Sequence, residues 1–202
     1  MPRTGARGGP ETRRRIAGIA SGMFLERGFD EVTVAEIARE AGVSSVTVFN
    51  HFPRKEDLFL DRAFDAGELL RSAVRDRPEG MDALASLRTM TLGLVDSGHA
   101  LSGVDHRSVP FFRTVADSPA LISRAREIVD ELERTLAEEL AHDPSFDGDP
   151  ALLAALFMAG YRTVMVATAR RLLAGARTED VVDAHRARFE SLFEALRTGL
   201  PS

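Results

Sequence analysis

One run, TVAEIAREAGVSSVTVFNHFP from Thr33 to Pro53, constrains this chain more than any other part of it. It opens on Thr33-Val34-Ala35-Glu36, a capping box in which the threonine hydroxyl takes an orphan amide while the glutamate reaches back. The helix so begun can bury Val34, Ile37 and Ala38 before Gly42 stops it. Ser44 is then placed to cap a second short helix, and Pro53 ends it. That second helix, within VSSVTVFNHF, is too polar for a core element and too apolar for a plain loop. Two short helices about a glycine turn have the layout of a helix-turn-helix, whose second helix enters the DNA major groove.

The spacing of the second helix sorts its residues. Val48 and Phe52 lie four apart and can pack inward. Ser45, Val46, Thr47 and Asn50 are left at or near the opposite face. Asparagine can pair with adenine, small hydroxyls with base edges or phosphate, and valine with a thymine methyl. Ser44 and Thr33, at helix N-termini, suit phosphate contacts. His51 and Lys55 flank the turn that follows. Lys55, near the start of a helix, opposes the helix dipole, so another partner must favour it there, and a DNA phosphate is one candidate.

The rest of the chain has helical period throughout, with no clear alternating strand. Ile16, Ile19, Ala20, Met23 and Phe24 form one stripe of a first helix from about Glu11, closed by Gly28. Helices are expected over about 54–77 and 81–97, then a loop and a short helix broken by Pro110. Ser118-Pro119 and Asp149-Pro150 each read as a cap followed by proline at the first helical position. Thr178 caps a last helix that ends near Gly199. The expectation is all-α with about nine helices: a DNA-binding domain over 1–55, with an arm over 1–10, and a second domain over 56–202.

Charge supports that division. Residues 1–55 hold 9 Lys and Arg against 6 Asp and Glu, whereas residues 56–202 hold 17 against 25. A mildly basic front on an acidic body permits a nucleic-acid face at the N-terminus and disfavours one elsewhere. In the arm, Arg3, Arg7 and Arg13 to Arg15 are candidates for an adjacent minor groove or for plain solvation. Cysteine is absent, which excludes disulfides, thiol catalysis and cysteine-containing zinc sites and suits a cytoplasmic setting. No GxSxG or HExxH motif is present, so neither an enzyme nor a cofactor is expected. His99, Asp105 and His106 match no compact metal motif. The apolar run 151–169 contains Arg162 and is followed by Arg170 and Arg171, as in a buried helix more than a membrane span.

The stretch from Thr33 to Phe59 resembles the N-terminal domain of the tetracycline-repressor (TetR) family of transcriptional regulators. Ile37, Ala38, Ala41, Gly42, Val43, Ser44, Thr47, Phe49, His51, Phe52, Lys55, Glu56 and Leu58 follow that family's pattern in order. The resemblance implies that Thr33, Ser44, Thr47, His51 and Lys55 hold backbone phosphates, with Phe49 at a further phosphate position where tyrosine is common. Ser45, Val46 and Asn50 would face bases, as Thr47 also can. Phe49 lacks the phenol, and Ser45 and Val46 replace a common lysine and glycine. A different operator and a shallower salt dependence are therefore expected.

For the body the resemblance implies a small-molecule pocket and a homodimer, the two last helices packing on their mates. Candidate pocket residues are Met90, Leu94, Phe111, Phe112, Met158 and Arg162. Candidate interface residues are Leu156, Gly160, Val164, Phe189, Leu192 and Phe193. The expected function is a ligand-responsive repressor, released from a palindromic double-stranded DNA operator by an apolar or amphipathic effector, with no membrane partner. The alternatives are a DNA-bound adaptor of the same fold that takes a protein partner, and a helical lipid carrier or enzyme.

Overall fold

The computed structural model describes residues 9–198, and among them it contains helices and no strand. In chain order the helices are α1 (Gly9–Arg27), α2 (Val34–Glu40), α3 (Ser45–His51), α4 (Ala63–Arg75), α5 (Ala83–Asp96), α6 (Ser108–Ala116), α7 (Pro119–Ala141), α8 (Pro150–Leu173) and α9 (Thr178–Thr198). Short 3-10 turns occupy Glu56–Leu58 and Ala100–Ser102. Two compact units result. One holds the residues up to Asp61 together with Arg113–Arg124; the other holds Arg62–Phe112 and the residues from Ala125 onward. The division therefore crosses α6 and α7, and the first unit includes a stretch remote in sequence from the 1–55 segment.

In the first unit, α1 turns Ile16, Ala20 and Phe24 inward, all fully buried. Phe24 meets Phe29 and Phe59 with ring centroids 4.9 and 5.8 Å apart. Gly28 ends α1 in the left-handed region (φ 88°), where a side chain would be strained. Ile37 and Ala38 of α2 and Val48 and Phe52 of the α3 segment complete this core.

The second unit has two neighbouring apolar clusters. One joins Leu70 and Val74 of α4, Leu87 of α5, Leu136 and Leu140 of α7, Phe157 and Met158 of α8, and Phe193 of α9. The other joins Leu92 and Val95, Val104, Val164 and Leu172, and Val181 and Phe189. Tyr161 packs against both, and its hydroxyl donates to the Leu101 carbonyl at 3.0 Å. Desolvation of the hydroxyl pushes its pKa up to about 12. Glu139 is buried but paired with Arg75 and Arg71, as a buried carboxylate must be.

Two details differ from the sequence reading. The segment expected as one helix over 54–77 is a 3-10 turn followed by α4. Pro110 does not break a helix; it occupies the third residue of α6, where its missing N–H is one that the first turn leaves unpaired anyway.

Candidate nucleic-acid interface

Local capping bonds begin both short helices. Thr33 caps α2: its hydroxyl accepts from the Glu36 amide (3.3 Å) and donates to Glu36 Oε2 (2.8 Å), while Glu36 also accepts from the Thr33 amide (2.8 Å). These bonds from Thr33, together with the Arg27 guanidinium at 2.9 Å, hold the Glu36 pKa down to about 2. Gly42 turns the chain at φ 64°. Ser44 caps α3 by accepting from the Thr47 amide at 3.0 Å, and the two hydroxyls lie 2.9 Å apart.

Helical geometry then sets what α3 presents. Val48 and Phe52 are buried at 0 and 1% exposure, so the residues about half a turn away face out. These are Val46 at 69% exposure, Phe49 at 48% and Asn50, also exposed. An apolar pair and an amide on an exposed helix face are unusual for a surface that meets only water. They are the residue types that read a thymine methyl and an adenine edge.

The other candidates distribute less simply. Ser45 is only partly exposed, since at 3.6 residues per turn it lies on the Phe52 side of α3. Thr47 and Ser44 sit beside the outward stripe with their hydroxyls in the cap. Phe49 has no donor for a phosphate and shares the outward face with Val46 and Asn50. The His51 carbonyl accepts from Arg13 Nη1 at 2.6 Å. Lys55 turns inward: its Nζ donates to the Phe29 carbonyl at 2.7 Å and lies 4.3 Å from the Phe29 ring centroid. Burial lowers its pKa, opposed by Asp30, Glu56, Glu31 and Glu36. The lysine that opposes the helix dipole thus has a partner in its own unit, with one of its three N–H groups committed.

Two structural roles escaped the sequence reading. Arg13 stacks its guanidinium 4.1 Å from the Phe52 ring centroid while holding the His51 carbonyl, so it clamps α1 to the end of α3. Arg3 and Arg7 lie outside the described residues. Asp57 and Asp30 pair with Arg124 (2.8 Å) and Ser118 (3.2 Å) of the first unit's distant stretch. Separations of 67 and 88 residues leave no local signal for either contact.

The body rearranges the remaining candidates. Met158 and Met90 pack within one core cluster, and Phe112 packs against the other. Phe111 lies edge to face with Phe112, centroids 5.7 Å apart, and Leu94 is half-buried. Arg162 is exposed on α8 rather than buried among its apolar neighbours. A surface cleft on α5 and α9 is lined by Arg88, Glu190, Ser191, Phe193, Glu194 and Arg197, none of them a pocket candidate. His99, considered for a metal, accepts from the Leu101 amide at 3.2 Å and caps a 3-10 turn.

Of the interface candidates, only Leu156 is exposed, at 50%. Val164, Phe189 and Phe193 are buried in their own chain's core at 4, 0 and 2%. Gly160 gives room to Leu192, which fills the place of its missing Cβ, so these two serve contact between α8 and α9 of one chain. Leu152, Leu156, Ala159, Thr163, Val166, Arg170 and Leu173 are all exposed on α8. Their spacing alternates four and three residues, the register of a helix seam that takes a partner helix.

Comparison with known proteins agrees with this geometry. Residues 19–61 match the family model described as bacterial regulatory proteins, tetR family. The chain is 28% identical over 193 residues to the HTH-type transcriptional regulator TcmR of Streptomyces glaucescens, covering 94% of this chain and 84% of that one. Its fold matches Thermus thermophilus FadR, a TetR-family transcriptional repressor in complex with lauroyl-CoA, at TM-score 0.57 and 23% identity over 94 and 95% of the two chains. It also matches SmeT in its triclosan complex, at TM-score 0.60 and 16% identity over 92 and 91%.

Proposed function

We propose that this chain, which belongs to the tetR family of bacterial regulatory proteins, reads its operator through Val46, Asn50 and the flank of Thr47 on α3. The carrying observation is the exposed stripe of Val46, Phe49 and Asn50 on a helix held by a cap behind and Val48 and Phe52 beneath. Thr33, Ser44, Thr47 and His51 are assigned to backbone phosphates, as the family resemblance implies. Lys55 adds positive charge near them, although it also holds the Phe29 carbonyl. Phe49 extends the apolar contact beside Val46, a role open to it because it has no phenol to offer a phosphate.

A dimer follows from the seam on α8. Leu152, Leu156, Val166 and Leu173 leave apolar surface that a second copy of the same face would cover by two-fold symmetry. Two heads so related require a palindromic operator with half-sites one helical turn or a multiple apart. The relatives bound to lauroyl-CoA and triclosan support an effector with much apolar surface. Such an effector releases DNA only by binding the DNA-free arrangement of the heads more tightly than the DNA-bound one.

Selection of bound fragments from a random DNA pool tests this reading. Enrichment of a two-fold symmetric site is expected, with retention falling as salt rises. Recovery of sequences without symmetry would oppose the dimeric reading head, and retention independent of sequence would oppose base readout by α3.

A further inference from the structure

Among the described residues no large apolar side chain is more exposed than Val46. Phe49 and Asn50 follow it by three and four residues, which puts all three on one face of α3. The helix, SVTVFNH, contains no lysine, arginine, aspartate or glutamate. That composition is chemically specific. Guanine is most often read by a bidentate arginine or lysine, and the cytosine amino group by a carboxylate; α3 carries none of these. Three cations of the same unit are engaged within it: Arg13 on the His51 carbonyl, Lys55 on the Phe29 carbonyl at 2.7 Å and Arg27 on Glu36 at 2.9 Å.

What α3 presents instead is methyl and aromatic surface beside one amide. An exposed valine gains nothing from a phosphate or from the hydrogen-bonding edge of a base, which it can only desolvate. In the major groove its apolar partner is the 5-methyl group of thymine, the one methyl that the four bases present. Uracil and cytosine lack that methyl, whereas 5-methylcytosine carries it at the same ring position. An apolar contact there sorts pyrimidines by a methyl group and not by a hydrogen-bonding pattern. Asn50 adds an adenine reader about 6 Å of helix rise from Val46.

We infer that α3 recognises a pyrimidine by its 5-methyl group, through Val46 with Phe49 beside it, so that 5-methylcytosine can take the place of thymine in this contact while uracil and unmodified cytosine cannot. The inference rests on the reading of α3 as the base-contacting helix and adds the chemical group that the contact requires. Val46 and Phe49 thereby determine specificity with a different partner from that of Asn50. Cytosine methylation at that position of a half-site then raises affinity.

Fluorescence anisotropy with the full-length protein tests this on the sequence that wild type selects from random DNA, with each thymine in turn replaced by uracil. Uracil is expected to weaken binding about fourfold at one or two positions in each half-site, the loss of one buried methyl, and to change nothing at the others. At those positions 5-methylcytosine should bind about fourfold more tightly than cytosine. Val46→Ser or Phe49→Ser should bring thymine and uracil within about 1.5-fold of each other there. Both substitutions lie at exposed positions outside the core, and the wild-type comparison needs no variant to fold. Equal affinity for thymine and uracil at every position would overturn the inference, as would a thymine preference that survives both serine variants. Selective binding in either case would keep base reading by α3 through Asn50. Selection of no preferred sequence would sink the base reading and the inference together.

Discussion

Both α3 and α8 present apolar side chains to the outside, yet they do so in opposite ways. On α3 the exposed Val46 and Phe49 sit beside Asn50 on a helix of seven residues, surrounded by hydroxyls and held by caps. On α8 the exposed Leu152, Leu156, Val166 and Leu173 recur along twenty-four residues in the register of a helix seam. A short mixed patch fits a groove lined with methyls and hydrogen-bonding edges. A long apolar stripe fits another apolar stripe. Exposure alone therefore does not tell a reading surface from an assembly surface; the polar company and the length of the stripe do.

The largest effect should come from breaking the long stripe. Wild type is expected to sediment as a dimer at micromolar concentration and Leu156→Arg as a monomer. Operator affinity should fall about a hundredfold or more, since the second head no longer binds as part of one body. An unchanged dimer would move the interface away from α8. The same substitution on the short stripe, Val46→Arg, should leave sedimentation untouched while altering which DNA is bound.

Asn50→Ala comes next. Loss of one bidentate base contact is expected to weaken operator binding by about 1–3 kcal/mol while nonspecific binding stays the same, read by fluorescence anisotropy on both DNAs. Equal loss on both would make Asn50 a phosphate contact. Lys55→Ala separates two roles of a different kind. Weaker binding to every DNA at unchanged melting temperature marks a phosphate ligand, whereas lower melting marks the Phe29 contact.

Smaller effects test the scaffold beneath α3. Ser44→Ala removes the cap and should cost about 1 kcal/mol in chemical denaturation. Gly42→Ala has open space for its Cβ but must hold φ 64°, and is expected to cost about 1–2 kcal/mol. The Glu36 carboxyl, at about 2 when folded against an ordinary 4.5, adds stability that is complete above pH 4.5 and is lost as pH falls toward 2. Glu36→Gln should flatten that part of the pH profile, and an unchanged profile would show the capping box to be idle.

The same contrast explains what could be read from the sequence. The capping box, the left-handed turns at Gly28 and Gly42, the Ser44 cap and the burial of Val48 and Phe52 were legible because each is written within four or five residues. The sides of α8 and α9 were not. A helix apolar nearly all round has no pattern to say which leucines face its own core, so Phe189 and Phe193 were placed at the interface and Leu152, Val166 and Leu173 were not. Arg162 misled in the same way, since burial was inferred from its neighbours. The Arg13 clamp and the Arg124–Asp57 pair depend on tertiary contact and carry no local sign.

The central claim is that α3 reads bases through its exposed stripe, and paired selections from one random DNA pool test it most directly. Wild type should enrich a palindrome, and Asn50→Ala should enrich the same palindrome with discrimination lost at one symmetric position in each half-site. An identical consensus at every position for both proteins would contradict the claim.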